Sequence, residues 1–381
     1  MEFGFSEEQL ELRGTIRSFA RDELNKDLVE REQKSIFPRE NWQKCADLGI
    51  QGLPFPVELG GGGADIVTTT LAMEALGYGC KDGGLLFGIA AQLWSVQMPI
   101  WEFGSEAQQT RYLPRLCSGE LIGAHAMTEP DSGSDAFSLR TTAEKKADRY
   151  VLNGVKTFVT NGSAADVFLA FASIDRSKKF MGLSAFLVER GTPGFRVEGE
   201  IGKMGLQTCP MVELVFEDCE VPAENRLGVD GRGAAIFQSS MEWERSFILA
   251  ACVGAMERQL NGCVEYAKQR RQYGKPIIKF QSVANKIVDM KVRMEAARLL
   301  LYKTAWLKSN DEPATAESAI AKLYLSESWV QSCLDAVQLY GGYGYTTEFE
   351  IERDLRDSIA TRLYSGTSEI QRNIIARCLE G

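Results

Sequence analysis

The apolar residues of this chain change their spacing twice between its first and last residues. In the first and last thirds they recur every three or four residues, the period of a helix that buries one face. The clearest series steps by four and three and consists of Val283, Ile287, Met290, Met294, Ala297 and Leu301. In the middle third, runs rich in β-branched and aromatic residues alternate with turn residues, and these runs are 167–173, 182–188 and 212–221.

This order of patterns predicts an α+β fold in three parts. A chain of 381 residues is long for one domain, so we divide it where the pattern changes. We expect an N-terminal helical domain over 1–120, a middle antiparallel β domain over 121–229 and a C-terminal four-helix-bundle domain over 230–381.

Charge and cysteine content exclude several classes of partner. Lys and Arg number 43 against 52 Asp and Glu, and no basic run reaches five residues, so we expect no binding to nucleic acid or to anionic membranes. The nine cysteines are scattered without a CxxC pair, which predicts no metal site and is typical of a reducing cytoplasm. The first residues resemble no signal peptide and no apolar stretch reaches 18 residues, so we expect a cytoplasmic protein without a membrane span.

A single histidine, His125, narrows the possible chemistry further. Hydrolases of the Ser-His-Asp or Cys-His type need an imidazole relay, and only this residue could supply one. The chain also contains no GxSxG motif, no Walker A motif and no GxGxxG motif after a strand. Its chemistry must therefore come from carboxylates, backbone donors or a bound cofactor.

One carboxylate, Glu244, lies on an apolar helical face. That face is formed by Phe237, Met241, Ile248, Ala251 and Ala255. A carboxylate in such a place is costly unless it is paired, and burial raises its pKa. It could serve as a functional base or form a salt bridge to a neighbouring helix. Arg245 is rotated roughly 100° away around the helix, so it need not be the partner.

Three other segments could each contact a ligand or be purely structural. The small hydroxyl and glycine residues at 127–135 would allow backbone amides to approach a ligand, although without further context an ordinary loop is the better explanation. The segment 158–162 places an aromatic and a hydroxyl residue at the end of a strand, where an aromatic residue usually belongs to the core. The glycines of 338–344 could admit a phosphate or could simply end a helix.

Taken together, these segments resemble the acyl-CoA dehydrogenase family over nearly the whole chain. The resemblance is carried by AMTEPDSGSD (126–135), FVTNG (158–162), RRQYGKPI (270–277), QLYGGYGY (338–345) and LYSGTSEIQR (363–372). They occur in the family's order and spacing. The resemblance implies a fold like that of the family and an FAD-dependent dehydrogenation of an acyl thioester between Cα and Cβ.

The resemblance also implies a set of FAD-binding residues. Met127, Thr128 and Ser134 match the flavin and thioester loop, while Phe158 and Thr160 match residues beside the isoalloxazine ring, with Thr160 near N5. Arg270, Gln272, Tyr273 and Gln281 match a contribution of the second subunit to the diphosphate and adenosine. Gln338, Gly341 and Gly342 match the loop that completes that site, and Thr367 and Glu369 match later flavin contacts. A site divided in this way implies a homodimer or a homotetramer.

One departure from the family pattern identifies the base. In many members the residue before Gly-Thr-Ser is the catalytic glutamate, but here it is Ser365, which cannot act as a strong base. A minority of members place the base in a Glu-Arg pair that matches Glu244 and Arg245, so the resemblance and the apolar stripe agree on Glu244. We expect the backbone amide of Ser365 to bind the thioester carbonyl, and its hydroxyl to be dispensable. The positions that match substrate contacts are Gln92, Trp94, Ser134, Arg245 and Ser365.

The acyl group is indicated by the segment GLLFGIAAQLWSVQMPI (84–100) and by the likeness of the whole chain. Both are most similar to family members that oxidise a prolyl group on a peptidyl carrier protein toward a pyrrolyl thioester. A short branched-chain acyl-CoA dehydrogenase is the alternative, and a flavin monooxygenase or nitroalkane-oxidase-like member of the same fold is an alternative of a different class. The expected partners are a carrier-protein or CoA thioester and, as electron acceptor, an electron-transfer flavoprotein or oxygen.

Overall fold

The computed structural model describes residues 4–380 and begins with a helical region. Its helices are α1 (Glu7–Glu23), α2 (Leu28–Lys34), α3 (Arg39–Asp47), α4 (Ile66–Gly79), α5 (Gly83–Gln92), α6 (Met98–Phe103) and α7 (Glu106–Cys117). Ser6 caps α1 by accepting from the backbone N–H of Gln9, whose side chain in turn accepts from the N–H of Ser6. A single π-helical turn, Leu93–Gln97, joins α5 to α6.

The middle of the chain forms one twisted sheet. Its strands are β1 (Gly123–Ala126), β2 (Thr142–Lys145), β3 (Arg149–Thr160), β4 (Val167–Ser173), β5 (Leu183–Glu189), β6 (Phe195–Glu200), β7 (Met211–Pro222) and β8 (Arg226–Leu227). The order across the sheet is β6-β7-β3-β2-β4-β5-β8, and β1 pairs with β4. The three predicted runs are β4, β5 and β7, each within one residue of its predicted bounds.

The sheet is antiparallel, as predicted, except around β4. There β1 runs parallel to β4, from Gly123 opposite Val167 to Ala126 opposite Ala170. The first residue of β2 also pairs in parallel with the last residue of β4. Parallel neighbours need a long connection, which β2 and β3 supply between β1 and β4. β4 is therefore an inner strand of the sheet, and every one of its residues is buried.

The last part of the chain is helical again. It comprises α8 (Gly233–Phe247), α9 (Ala250–Gln269), α10 (Gln281–Ser309), α11 (Thr315–Tyr340), α12 (Gly342–Tyr345), α13 (Ile351–Ala360) and α14 (Ser368–Glu380). A small hairpin of β9 (Arg271–Gln272) and β10 (Lys275–Pro276) separates α9 from α10. α11 packs against α8, α9 and α10, and the predicted stripe on α10 is buried from Met290 to Leu301. The predicted α+β architecture is thus confirmed, and our domain limits, which remain a proposed division, fall in the connections before β1 and before α8.

Two glycines allow the N-terminal helices to pack closely against the C-terminal bundle. A Cβ on Gly77 of α4 would lie 1.9 Å from the carbonyl oxygen of Ala251, and one on Gly254 of α9 would lie 1.9 Å from that of Glu74. Backbone atoms cannot yield by this much, so a larger residue at either position would push α4 and α9 apart.

The cysteines form no disulfide. All nine are free, and they are buried or half-buried except Cys378 near the end of α14. Within residues 4–380, no helix has both the length and the apolar character needed to cross a lipid bilayer.

Candidate active site

Glu244 is buried in α8, on the apolar face that the sequence predicted. Its Oε1 accepts a hydrogen bond from the hydroxyl of Ser365, and its Oε2 accepts one from the hydroxyl of Ser95. Burial raises the pKa of Glu244, whereas these two hydroxyls and the more distant charges of Arg245 and Lys322 act to lower it. Within residues 4–380 the carboxylate has no ion-pair partner, so the alternative of a salt bridge to a neighbouring helix is wrong.

The π turn brings Ser95 to this carboxylate. Pro99 follows four residues later, and in a regular helix its ring would strike the carbonyl of Ser95. The wider turn relieves that clash, and single π turns of this kind are frequent at functional sites. Ser95 is buried and contributes its hydroxyl as a donor rather than as a nucleophile.

Ser365 lies in the loop between α13 and α14 with a positive φ of 57°. Its carbonyl oxygen accepts from Nε of Arg245 at 3.1 Å and from Nε2 of Gln371 at 3.0 Å. Among the described residues its N–H meets no acceptor, so it is available to a ligand. The hydroxyl that we expected to be dispensable is in contact with the buried carboxylate, because Oγ donates to Glu244.

Lys322 of α11 also lies at this site, although it is not among the residues expected from the sequence. It is 1% exposed, and its Nζ donates to the carbonyl oxygen of Gly366 at 2.8 Å. Burial lowers its pKa to about 8, against the opposing effect of Glu244. Lys322 shares a helical face with Ala319, Leu325 and Trp329, all buried, so a charged residue on an apolar stripe was again the signal that could have revealed it.

Aromatic side chains fill the space beside Glu244. Trp94 is fully buried, and its ring is stacked against that of Trp243 with centroids 6.0 Å apart and lies 4.9 Å from that of Phe247. On the other side the rings of Phe87 and Tyr364 lie 4.5 Å apart. A cavity of about 50 Å³ lies beside this last pair, lined also by Leu86, Ile248 and Cys252.

Gln92 is buried but its side chain is fully engaged by the protein. Nε2 donates to Oε1 of Gln97 and to the carbonyl oxygen of Leu116, each at 3.2 Å, and Oε1 accepts from the N–H of Gly123 at 2.8 Å. It therefore joins the helical region to the first strand. The structure gives it no free polar atom for the substrate contact that we expected.

The residues expected around the flavin ring form one connected group. The N–H of Thr157 donates to the carbonyl oxygen of Thr128 at 2.9 Å, which ties the loop at 127–135 to the end of β3. The buried Lys156 reinforces this tie by donating to the carbonyl oxygen of Met127 at 3.0 Å and pairing with Glu129 at 2.8 Å. The remaining expected contacts in this group are Ser134, which is exposed, Thr160, which is half-buried, and Phe158, which is 58% exposed with a φ of 56°.

The residues expected around the diphosphate and adenosine form a second group. Arg270, Gln272, Tyr273, Gln281, Gln338, Gly341 and Gly342 are all exposed. The guanidinium of Arg270 lies 5.6 Å from the ring of Tyr343, which brings the β9–β10 hairpin to the loop at 338–345. Within residues 4–380 no hydrogen bond, ion pair or ring contact joins this group to Phe158 or Thr160.

The last two expected flavin contacts lie where α14 begins. Thr367 is half-buried, and its Oγ1 accepts from the N–H of Ile370 at 3.4 Å. Glu369 is exposed and lies 3.9 Å from Arg372. Both follow Ser365 closely in the chain, so they lie near the Glu244 side of the site.

His125 takes no part in this constellation. Its ring packs against those of Phe171 and Phe237, with centroids 5.2 and 5.9 Å away. Burial, helped by the charge of Lys156, lowers its pKa to about 3, so the imidazole is neutral. In the part of the chain that the structure describes, no three His, Cys, Asp or Glu side chains lie close enough together to hold a metal ion.

Models of three protein-family domains match the chain consecutively. Residues 6–120 match the N-terminal domain of acyl-CoA dehydrogenases, residues 124–219 the middle domain and residues 231–380 the C-terminal domain.

Individual proteins are similar over the full length. An L-prolyl-[peptidyl-carrier protein] dehydrogenase from Serratia sp. is 42% identical, covering 100% of this chain and 98% of that protein. The crystal structure of the prolyl acyl carrier protein oxidase AnaB is 51% identical with a TM-score of 0.98, covering 99% of this chain and 100% of that one. A structure of PigA with FAD and proline is 42% identical with a TM-score of 0.97, covering 100% and 99% of the two chains.

Proposed function

The chain belongs to the acyl-CoA dehydrogenase family, and on this basis we propose that it oxidises a prolyl thioester on a peptidyl carrier protein between Cα and Cβ, with FAD as cofactor. The observation that carries the reaction type is the buried carboxylate of Glu244, held between the hydroxyls of Ser95 and Ser365 beside a free backbone N–H. The prolyl group and the carrier are supported by the likeness to the Serratia dehydrogenase and to AnaB.

The residues present fit a flavin dinucleotide. Arg270 is exposed and has no carboxylate partner among the described residues, so its guanidinium is available to a diphosphate. Phe158 offers an exposed aromatic face beside the hydroxyl of Thr160, at the edge where a planar ring system would lie. Gly341 and Gly342 leave open space where a side chain would stand, so a ligand can approach the backbone. When bound, FAD takes up the β-hydrogen of the substrate together with two electrons.

Glu244 removes the α-proton. A general base works best when its pKa is near the working pH, and burial moves the pKa of this carboxyl upward toward that range. Ser95 and Ser365 fix its two oxygens and keep the ionised form accessible before the reaction. The charge of Lys322 acts in the same direction.

The N–H of Ser365 stabilises the enolate oxygen. Charge grows on the thioester carbonyl as the α-proton leaves, and a preorganised backbone donor stabilises it. The carbonyl groups of Ser365 and Gly366, which directly follow this N–H in the backbone, are held by Arg245, Lys322 and Gln371, so the loop is restrained next to the donor. These three side chains help to position the donor.

We also propose that a second copy of the chain completes each cofactor site. Among residues 4–380 no hydrogen bond, ion pair or ring contact joins Arg270 and its neighbours to Phe158 or Thr160, as expected if two subunits complete each cofactor site. α10 also carries four exposed apolar side chains, Val288, Val292, Leu299 and Trp306, that a partner subunit would cover. We therefore propose a homodimer, paired into a tetramer. We also propose a reducing compartment such as the cytoplasm, since all nine cysteines are free thiols.

Anaerobic flavin reduction with matched acyl groups tests the function. We expect prolyl-carrier protein to bleach the flavin without added NADH and much faster than prolyl-CoA. Equal or faster bleaching by isovaleryl-CoA or butyryl-CoA would identify a short-chain acyl-CoA dehydrogenase instead. A requirement for NADH would indicate a monooxygenase. Reoxidation by oxygen and by an electron-transfer flavoprotein, compared in the same instrument, identifies the acceptor.

A further inference from the structure

Two adjoining loops form a basic and apolar surface on this acidic protein. The first is the turn Arg176–Gly182 between β4 and β5, and the second is the segment 228–232 before α8. A Cβ on Gly231 would lie 2.5 Å from the carbonyl oxygen of Met181, so the loops touch. We call these two loops the β4–α8 surface.

Three of the four cations of the β4–α8 surface have no carboxylate partner among the described residues, although Arg176 also donates to the carbonyl oxygen of Arg140. Arg176, Lys179 and Arg232 are exposed and form no ion pair among residues 4–380. Lys178 pairs only with the adjacent Asp175, at 3.4 Å, and its side chain is 65% exposed. The chain as a whole has a net charge of −9, so this concentration of free positive charge is a local exception.

The one carboxylate in the second loop does not cancel this charge. Asp230 accepts from Nζ of Lys145 at 2.8 Å and from a guanidinium nitrogen of Arg226 at 2.7 Å, and the hydroxyl of Tyr150 also donates to it. These donors lower its pKa to about 2 against the effect of burial, so its charge is already compensated within the protein.

Apolar side chains stand among the cations. Phe180 is 54% exposed, Met181 60% and Val229 56%. Exposed apolar groups surrounded by charge of one sign are typical of a surface that binds another protein, because the apolar centre supplies affinity and the charges guide the encounter. A small anion alone would leave these three side chains without a role.

The β4–α8 surface lies at one end of the helix that carries the base. Arg232 directly precedes α8, and Glu244 is twelve residues further on, or roughly 18 Å along the helix axis. That length is comparable to an extended phosphopantetheine arm. A carrier held at this surface could therefore reach the carboxylate with its tethered thioester.

We infer that the β4–α8 surface is the docking site for an acidic helix of the carrier protein. The inference rests on the proposed function. Phe180, Met181 and Val229 would contact apolar residues of that helix, while Arg176, Lys178, Lys179 and Arg232 would face its carboxylates. Carrier-bound and CoA thioesters present the same pantetheine arm. The surface therefore selects the carrier-bound substrate by contacting the carrier protein itself.

Charge reversal tests the inference on the complete flavoprotein. The variant Lys178→Glu/Lys179→Glu is compared with Lys26→Glu/Lys34→Glu, whose lysines are 64% and 62% exposed on another part of the protein. Stopped-flow flavin reduction is measured with prolyl-carrier protein, with prolyl-CoA and with prolyl-pantetheine, which lacks both the carrier and the phosphate. We expect the first variant to lose roughly tenfold or more in the second-order rate constant with the carrier, and a steep salt dependence to flatten, while prolyl-pantetheine reacts unchanged. The control pair and wild type should behave alike.

Each other outcome has a defined meaning. An unchanged rate with the carrier, or an equal loss with prolyl-pantetheine, overturns the docking inference and leaves the proposed function intact. A larger loss of rate with prolyl-CoA than with the carrier would show that the cations bind a nucleotide. A changed oligomeric mass would show that the surface binds a second copy of the chain. Either result overturns the docking inference. If wild type is reduced by none of the prolyl substrates, the proposed function itself fails. Phe180→Ala is a second variant. It should raise the carrier concentration needed for half-maximal reduction and leave the reaction with prolyl-pantetheine unchanged.

Discussion

The hydroxyl of Ser365 donates a hydrogen bond to Oε1 of Glu244, across 121 positions of the chain. Ser95 donates to the other oxygen from 149 positions away in the opposite direction. The carboxylate is therefore held between the N-terminal helices and the loop before α14. Its basicity depends on three segments that fold together, and each segment can be tested separately.

Glu244→Gln should abolish flavin reduction while leaving FAD bound. The amide is nearly isosteric but cannot accept the α-proton, so the rate should fall by roughly two to four orders of magnitude. Stopped-flow reduction measures the loss. Glu242→Gln is a matched control in the same helix, because that carboxylate pairs with Lys308 and Thr315 instead. A Glu244→Gln enzyme reduced at the wild-type rate would remove this residue from the mechanism.

Ser365→Ala should move the acidic limb of the pH–rate profile upward. The hydroxyl stabilises the ionised form of Glu244, so its removal raises the pKa of the base, by about one unit for a hydrogen bond to a charged group. Activity at low pH falls first, and activity at high pH is largely retained. Ser95→Ala should shift the limb in the same direction. An acidic limb unmoved in both variants contradicts the assignment of these hydroxyls.

Comparing Lys322→Met with Lys322→Gln distinguishes the effect of the Lys322 charge from that of its hydrogen bond to Gly366. Both remove the cation that favours ionised Glu244, so both should shift the acidic limb upward. Only methionine also removes the donor to Gly366, so it alone should raise the KM for the thioester by loosening the loop. Identical KM values in the two variants would show that the hydrogen bond does not position Ser365.

Arg270→Ala should weaken FAD binding by about ten- to a hundredfold, which is the usual contribution of a charge-assisted hydrogen bond to affinity. Flavin content after gel filtration and titration of the apoprotein measure it. Arg271→Ala is the control, since that neighbour donates to Gly274 within its own hairpin at 2.6 Å. Equal flavin retention by both variants would contradict the role carried over to Arg270.

Asp357→Asn should flatten the dependence of stability on pH. Burial, together with the nearby charge of Glu32, raises the pKa of Asp357 to about 8, far above its unfolded value. The folded protein thus holds a proton that the unfolded chain releases, and stability falls by about 1.4 kcal/mol per pH unit between roughly pH 4 and 8. Asparagine imitates the protonated form, so its Tm should fall less from pH 5 to pH 8 than that of wild type. Parallel Tm curves would show that Asp357 does not titrate in this window.

The sequence predicted those parts of the site that follow a regular period. Glu244 could be found because a helix repeats every 3.6 residues, and Lys322 obeys the same rule. Ser95 could not be identified as its partner, because a π turn interrupts that period. The role of the Ser365 hydroxyl depends on a positive φ in a loop, which no local pattern encodes. The edge strand β6 also went unpredicted, since its exposed side carries charged residues instead of a clean alternation.

The buried cysteines have a consequence for the working life of the enzyme. Reduced flavins that meet oxygen release hydrogen peroxide, and peroxide attacks thiolates rather than thiols. Burial raises the pKa to about 12 for Cys80, Cys117, Cys209, Cys219, Cys252 and Cys263, so these sulfurs stay protonated in any physiological medium. Oxidative damage should then begin at Cys378, the exposed thiol on the last helix, while the buried thiols resist inactivation by this side reaction.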